Sequence, residues 1–314
     1  MGRPTCCDGT TPSAARTWGT ELDIFIQQVV SGLATGGIYA SVALALVMIY
    51  QATDVVNFAQ GEMAMFATYV CWSLLNAGMP YWGAFLATLG IAFVGGVVIE
   101  RVVIRPVEQA PILSIVIVTL GLLVICNSLA GWIWTYVQKP FPSPFPSKPF
   151  KAGNIVFGAH DLGQIGVTLV VLVCIYLFFR FTPLGLAMRA AAHNPVSSRL
   201  VGIRVGWMLA LGWGLAAVFG AVAGMMVAPN LTLEPNLMGG VQIYAFAAAT
   251  LGGFTSPGGA VLGGFIVGVV ENLVGTYVSF IGTELKFTVA LAMIIVVLLV
   301  KPTGLFGRTV VKRV

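Results

Sequence analysis

The chain has 314 residues, of which 16 are Lys or Arg and 11 are Asp or Glu, so the net charge is +5 and charged residues make up 9%. Hydrophobic residues make up 58%, and the mean hydropathy is +0.95. Because soluble domains carry about 25% charged residues, this composition excludes a soluble enzyme and a disordered protein. It indicates an all-α, polytopic transmembrane helix bundle.

Charge-free stretches predict the membrane spans, because about 20 apolar residues cross the hydrocarbon core. Nine spans are predicted in a transmembrane domain 23–308, between a polar tail 1–22 and a basic tail 309–314. The spans are 24–50, 55–75, 81–99, 112–137, 162–179, 207–228, 241–254, 260–280 and 287–300. Because 241–254 is short, we consider it a candidate half-span or re-entrant segment, which is tolerated only where protein shields it from lipid.

Basic residues predict the orientation of the chain. Ten of the 16 basic residues lie in three stretches beside apolar runs. These are Arg101 and Arg105; Arg180, Arg189, Arg199 and Arg204; and Lys301, Arg308, Lys312 and Arg313. The positive-inside rule places all three stretches in the cytoplasm. Nine spans then put the amino terminus outside and the carboxyl terminus inside. This distribution favours a lipid bilayer over nucleic acid as partner.

Two further patterns concern packing and the outer surface. Small residues four apart allow helices to approach closely in lipid, and they occur at Gly32/Gly36, Gly220/Gly224 and Gly264/Gly268. The predicted outer loop 138–161 contains five of the 16 prolines. Alternating prolines favour a stiff, extended strap, which is either a spacer between helices or a docking surface for an external partner.

Little in the sequence indicates chemistry within the chain. There is no Gly-x-x-x-x-Gly-Lys-Ser/Thr loop, so the chain is not expected to hydrolyse ATP in the P-loop manner. His160 and His193 are predicted on opposite sides of the membrane, so no metal site is expected. We expect a non-enzyme without a cofactor.

Acids inside the predicted spans are candidate functional residues, because ionisable groups there are costly. Glu62 follows Asn57 and Gln60, and Glu271 is followed by Asn272. These five residues either line a translocation pathway or serve structure, with Glu62 near a membrane face and Glu271 bonded across helices. Neither acid has an obvious buried cation, which argues against a proton relay.

The predicted cytoplasmic segment 181–204 carries Arg189, Arg199 and Arg204 but no acid. Thr182-Pro183 predicts the start of a short helix, Asn194-Pro195 its end, and a further turn precedes Gly202. A basic amphipathic segment of this kind either lies on anionic lipid or inserts as a rigid lever into a cytoplasmic motor subunit.

Several blocks together resemble the permease subunits of branched-chain amino acid ABC importers, the LivH type. They occur in the order of that family and span residues 30–308. The blocks are 37–40 with 57–62 (Asn-Phe-Ala-Gln-Gly-Glu), 185–190 (Gly-Leu-Ala-Met-Arg-Ala) with 194–195 and 200–203, 251–254 with 256–264 and 271–272, and 301–307 (Lys-Pro-Thr-Gly-Leu-Phe-Gly).

The resemblance implies an inner-membrane importer. A second homologous permease, two cytoplasmic ABC ATPases and a periplasmic substrate-binding protein are the implied partners. It also implies that 181–204 couples to the ATPase, which makes Arg189, His193, Asn194, Arg199 and Gly202 the candidate coupling residues. The common form of this loop has an acidic or neutral residue where His193 stands.

Three alternatives remain at the level of the sequence. Relatives in the same family carry urea, short amides or aromatic acids, although the long amino-terminal region typical of urea permeases is absent here. A gradient-driven secondary carrier acting alone belongs to a different class of transporter. An integral membrane enzyme would need a convergent set of catalytic groups, which the sequence does not offer.

Overall fold

The computed structural model describes residues 14–53, 55–108, 110–146, 150–152, 155–278 and 285–307. Several predicted parts lie outside the described residues: 1–13 of the polar tail, 147–149 and 153–154 of the loop 138–161, 279–280 of the eighth predicted span, and Arg308 with the basic tail 309–314.

The described chain forms nine helices of 15 or more residues, two short helices and a small hairpin. The helices are α1 (Ala14–Thr53), α2 (Gln60–Asn76), α3 (Tyr81–Ile99), α4 (Ile112–Trp134), α5 (Ala159–Phe181), α6 (Pro183–His193), α7 (Pro195–Leu200), α8 (Val205–Leu231), α9 (Leu237–Gly252), α10 (Pro257–Tyr277) and α11 (Lys286–Val300). A π-helical turn (Glu100–Ile104) and a 3-10 turn (Arg105–Val107) continue α3. Strands β1 (Phe150–Ala152) and β2 (Ile155–Phe157) pair antiparallel, with Phe150 opposite Phe157.

The nine longer helices of the described chain coincide in position with the nine predicted spans. Six of them are long and apolar enough to cross a membrane, and α2, α9 and α11 are shorter at 17, 16 and 15 residues. The second prediction was wrong at its start, because 55–59 is not helical. There the Asn57 side chain accepts a hydrogen bond from the Ala59 backbone N–H at 3.0 Å, a local bond that competes with helix formation.

Three helices begin with the same two-residue signal, a capping side chain followed by proline. Thr182, Asn194 and Ser256 each accept a hydrogen bond from the backbone N–H three residues later, at 2.9 to 3.1 Å. Proline follows each cap at the first helical position, where its missing N–H leaves no bond unmade. The predicted start and end of the short helix in 181–204 are therefore confirmed.

The centre of the bundle is a close contact between α1 and α10. A Cβ at Gly32 would lie 2.7 Å from the Val269 Cα, and one at Gly268 would overlap the Gly36 Cα. Gly264 lies equally close to the α1 backbone at Ala40. Two of the predicted small-residue pairs thus face each other, which lets the helices pack backbone to backbone.

The third small-residue pair, on α8, contacts α2. A Cβ at Gly220 would lie 3.2 Å from the Ala64 Cβ, and one at Gly224 would overlap the Thr68 hydroxyl. Helix α8 is buried along most of its length between α1, α2 and α3. The outer ring of α3, α4 and α5 exposes large apolar side chains, as expected of a surface that faces lipid.

Helix α9 spans between the two ends of the bundle. Just before it, Leu233 pairs with Lys139 of the Pro-rich loop, and at its end the Gly252 carbonyl accepts a hydrogen bond from the Phe306 N–H at 3.2 Å. It contacts α1, α2, α10 and α11. Most of its residues are buried, so neighbouring helices shield this short element.

The first two basic stretches lie at one end of the bundle. The Arg101 guanidinium lies 3.9 Å from the ring centroid of Trp207, and a Cβ at Gly206 would lie 2.8 Å from an Arg105 nitrogen. The Pro-rich loop lies at the other end, where its Pro140 carbonyl accepts a hydrogen bond from the Trp72 indole N–H at 3.2 Å. This arrangement agrees with an even number of crossings between the two stretches.

Candidate functional site: two polar clusters and an exposed basic segment

The first polar cluster surrounds Glu62, in the first turn of α2. Its carboxylate accepts a hydrogen bond from the Asn127 amide at 3.3 Å. The same amide nitrogen lies 3.0 Å from the Pro235 carbonyl oxygen and 3.2 Å from the Asn236 amide oxygen, so its two hydrogens are shared among three acceptors. Glu62 is 7% exposed, so a carboxylate on α2 is tied through α4 to the loop before α9.

Glu62 contacts the loop before α9 through Asn127, whereas the neighbouring Gln60 reaches the middle of α8. The neighbouring Gln60 amide donates to the Ala216 carbonyl at 2.9 Å. Ala216 is the twelfth of the 27 residues of α8, so it lies near the middle of that helix. The Asn57 amide contacts the Gln60 side chain at 3.4 Å, which places Asn57, Gln60 and Glu62 together beside the break between α1 and α2.

Gln242 of α9 closes this break with two hydrogen bonds. Its amide oxygen accepts from the Gly61 backbone N–H at 2.6 Å, and its amide nitrogen donates to the Phe58 carbonyl at 2.6 Å. Both backbone groups lie where the helical ladder is interrupted, and an unpaired backbone group would be costly inside a membrane. One side chain therefore satisfies a donor and an acceptor of the interrupted chain.

The second polar cluster surrounds Glu271 of α10. The Tyr39 hydroxyl of α1 donates to the Glu271 carboxylate at 2.7 Å. The Tyr244 ring of α9 stacks on Tyr39 with a centroid separation of 4.8 Å, and its hydroxyl also interacts with Glu271. The neighbouring Asn272 amide donates to the Thr35 hydroxyl at 3.1 Å. Glu271 is thus bonded across helices, as one of the two sequence alternatives proposed.

Lys286 is a half-buried cation beside this cluster, whereas the sequence offered no obvious buried cation for either acid. A Cβ at Gly275 would overlap the Lys286 side chain, so the Lys286 stem lies along α10 one turn beyond Glu271. The sequence did not reveal this because Lys286 begins the next helix and extends along its neighbour, as long cationic side chains do at helix ends.

The five candidate pathway residues therefore form two groups. Asn57, Gln60 and Glu62 lie on the α2 side of α9, and Glu271 and Asn272 on its α10 side. Helix α9 contacts both groups, through Gln242 and Tyr244 respectively. The sequence analysis missed Gln242, Asn127, Tyr39 and Tyr244, because it considered acids within the spans. Neutral amides inside apolar runs were the signal that could have identified Gln242 and Asn127.

The candidate coupling residues lie on α6, α7 and the turn that follows. Arg189, Asn194 and Arg199 are exposed, and Gly202 has a φ of +86° that favours glycine. His193 is the last residue of α6, and its side chain lies outside the described residues. The structure therefore brings these positions onto one continuous segment beside the start of α8.

Apolar side chains are also exposed on this segment. Val196, Leu200 and Val201 are 68%, 84% and 76% exposed, beside the exposed Arg199. Ala191 and Met188 of α6 are buried and pack against α8. A patch of exposed apolar side chains with basic neighbours is typical of a protein or membrane contact surface.

Among the described residues, no three His, Cys, Asp or Glu side chains are grouped so that they could hold a metal ion. The arrangement offers hydrogen-bonded carboxylates and amides within the bundle and an exposed segment at one end. Together with six helices able to cross a membrane within the described chain, this defines the class: a multi-pass helical membrane protein.

Comparison with known proteins gives the family. Residues 28–298 match the family described as branched-chain amino acid transport system / permease component. The chain belongs to this family. The match covers α2 to α10 whole, and with them both polar clusters and the α6–α7 segment.

Individual relatives agree with this assignment. The branched-chain amino acid permease LivH of Salmonella typhimurium is 32% identical over 304 residues, 92% of this chain and 98% of the relative. LivH of Escherichia coli K12 is 31% identical with the same coverage. BraD of Pseudomonas aeruginosa is 31% identical over 314 residues, 94% of this chain and 99% of the relative.

Proposed function

We propose that the chain is the membrane-spanning permease subunit of an ATP-driven importer for branched-chain or related hydrophobic amino acids. The observation that carries the proposal is the family match across residues 28–298, supported by relatives named as high-affinity branched-chain amino acid permeases. The protein would lie in the bacterial inner membrane, with its amino terminus outside and its carboxyl terminus in the cytoplasm.

In this proposal, the α6–α7 segment couples transport to a cytoplasmic ATPase. The exposed apolar side chains of Val196, Leu200 and Val201 would insert into a cleft of the ATPase, and Arg189 and Arg199 would contact its rim. The caps at Thr182 and Asn194 make the segment rigid enough to transmit a movement to α8, on which α6 packs. ATP would drive that movement and open the pathway alternately to each side.

The proposed assembly contains a second permease, two ATPases and a periplasmic substrate-binding protein. Since the binding protein would supply affinity, the permease needs only weak sites of its own. This fits a bundle in which the polar side chains of both clusters are largely bonded to one another. Asn57, Gln60, Glu62, Glu271 and Asn272 are proposed to border the pathway.

Co-purification from gently solubilised native membranes tests the assembly. We expect two P-loop ATPases and a second, similar permease to accompany the chain. A lone chain or simple homodimer, with no ATPase even after crosslinking, would instead favour a gradient-driven carrier. Uptake of leucine in competition with urea, short amides and aromatic acids then tests the cargo, and we expect only aliphatic amino acids to compete strongly.

Two sets of variants test the roles of individual residues. Arg189→Ala and Gly202→Val should uncouple ATP hydrolysis from uptake while the chain remains in the membrane. Fully coupled transport in both would refute the coupling role.

Glu62→Gln should alter uptake without lowering the folded yield, whereas a lower yield with normal uptake per folded molecule would make Glu62 structural.

A further inference from the structure

A surface groove lies between α6 and the start of α8. Its volume is about 490 Å³, and it is open along one side. The walls are mainly apolar, and Arg204 lies at the position just before α8. The lining includes Ala187, Ile203, Arg204, Trp207, Met208 and Leu211. We call it the arginine groove.

Two further arginines, at the end of α3, contact the first turn of α8 beside the arginine groove, and neither of them lines it. The π-helical turn Glu100–Ile104 places the Arg101 guanidinium 3.9 Å from the ring centroid of Trp207, a groove residue. Arg105 lies against Gly206 on the neighbouring position of α8. Three cationic side chains from two separate parts of the chain therefore converge on the first turn of α8.

The acids of this region do not cancel the charge at the groove. Glu100 lies 3.7 Å from Arg101, but it is 2% exposed and so does not face the groove. Glu108 is exposed and follows the 3-10 turn. Three arginines against two acids leave one positive charge in excess. In addition, the Nε and one terminal nitrogen of Arg101 are buried and have no hydrogen-bond partner in the described structure.

The arginine groove lies where the surface changes from apolar to basic. Trp207 is 48% exposed, and Val102 on the adjacent turn of α3 is 67% exposed. Tryptophan and arginine are enriched where membrane hydrocarbon meets the headgroups. The apolar wall formed by Ile203, Met208 and Leu211 can accept an acyl chain, and an arginine at its rim can bind a phosphate with charge-assisted hydrogen bonds.

We propose that the arginine groove binds an anionic phospholipid, with the phosphate at Arg204, beside the Arg101–Trp207 contact, and an acyl chain along the wall. Basic pockets between transmembrane helices at the cytoplasmic side bind anionic headgroups in this way. A zwitterionic lipid offers no net charge to the excess of arginine. The site is separate from the exposed side chains of Val196, Leu200 and Val201. Lipid binding does not depend on whether those side chains contact an ATPase.

Quenching of Trp207 by brominated lipids tests the proposal. The full chain is reconstituted into phosphatidylcholine vesicles, and brominated phosphatidylglycerol or brominated phosphatidylcholine is added at equal mole fractions. The Trp207 signal is the difference between the wild type and Trp207→Phe. We expect phosphatidylglycerol to quench it at lower mole fractions, and the apparent affinity to fall about fivefold for each of Arg101→Gln and Arg204→Gln, the effect of one arginine near a membrane surface.

Arg180→Gln is the matched control, because Arg180 is an exposed arginine at the same end of the bundle but does not line the groove. It should retain the preference for phosphatidylglycerol. Equal quenching by both lipids in the wild type would overturn the proposal. So would an equal loss in Arg180→Gln, which would indicate general surface charge, or displacement by inorganic phosphate, which would indicate a free-anion site.

Native mass spectrometry provides a second measurement that does not require Trp207→Phe to fold. The wild type should retain phosphatidylglycerol after delipidation in detergent, and the double variant R101Q/R204Q should lose it. Equal retention in the two proteins would also overturn the proposal.

Discussion

Gln242 connects α9 to α2 and to the segment before α2 with one amide group. The Gln242 amide nitrogen donates to the Phe58 carbonyl, just before α2. The Gln242 amide oxygen accepts from the Gly61 backbone N–H, in the first turn of α2. A Cβ at Gly61 would overlap the Gln242 amide oxygen. The contact therefore requires glycine on one side and a glutamine of this length on the other.

We expect Gln242→Leu to destabilise the chain strongly. The change leaves the Gly61 N–H and the Phe58 carbonyl without partners at a buried site, at a cost of about 1–3 kcal/mol for each group. Thermal unfolding in detergent measures the effect. Gln138→Leu is the matched control, because Gln138 is exposed and its bond to Glu234 lies at the surface. Equal stability of the two variants would mean that the Gln242 hydrogen bonds do not stabilise the chain.

The Tyr39–Glu271 hydrogen bond gives a second expectation at this scale. Tyr39→Phe and Glu271→Gln each remove part of one network, so their effects on the free energy of unfolding should not add. Contacting residues show interaction energies of about 0.5–3 kcal/mol, and a double-mutant cycle measures this value. Thr276→Val, on the exposed face of α10, should add to either variant. Additive effects for Tyr39 and Glu271 would exclude a shared network.

At the same scale, the sequence predicted which acids are unusual but not their partners. Glu62 and Glu271 stood out because they interrupt apolar runs. Their partners come from helices more than 60 residues away, at Asn127 and Tyr39, and a single sequence carries no direct signal of such pairs.

Among the helices, the contact between α1 and α10 depends on small residues at both surfaces. Gly268→Ala places a methyl group against the Gly36 backbone, so the helices must separate. We expect a lower folded yield and a lower unfolding temperature. Gly90→Ala is the matched control, because Gly90 lies within α3 with no atom near its missing Cβ, and alanine is the better helix former there by about 1 kcal/mol. A stable Gly268→Ala variant would contradict the close packing.

Helix positions were predictable where the sequence contains residues that interrupt a helix. The 81–99 segment follows Asn-Ala-Gly-Met-Pro, and α3 begins and ends at the predicted residues. The start of α2 was not predictable from hydropathy, because Val55, Val56 and Phe58 are as apolar as a helix core. The Asn57 side chain and the Gln242 amide determine that start, and the second of these is a long-range contact.

For the whole molecule, the arrangement of basic residues remains the basis of the orientation. At one end of the bundle, the Pro-rich loop contacts α2, α5 and α8. Lys139 lies 4.8 Å from the Trp72 ring centroid, and the His160 ring forms hydrogen bonds with Ser143 and with the Met226 carbonyl. These contacts attach the described part of the loop to the bundle, while Pro142, Ser143 and Pro146 are exposed. The α6–α7 segment lies at the opposite end.

We expect these two ends to lie on opposite sides of the membrane, which single cysteines can test in a chain whose five native cysteines are replaced. Pro142→Cys, in the exposed part of the Pro-rich loop, should react with a membrane-impermeant maleimide in spheroplasts. Ser197→Cys, exposed on α7, should react only after the membrane is opened, because the positive-inside rule places its arginine-rich surroundings in the cytoplasm. The reverse pattern would invert the orientation, and with it the side from which an ATPase could reach α7. Labelling of both from outside would contradict the single crossing, by α5, that separates the Pro-rich loop from α7.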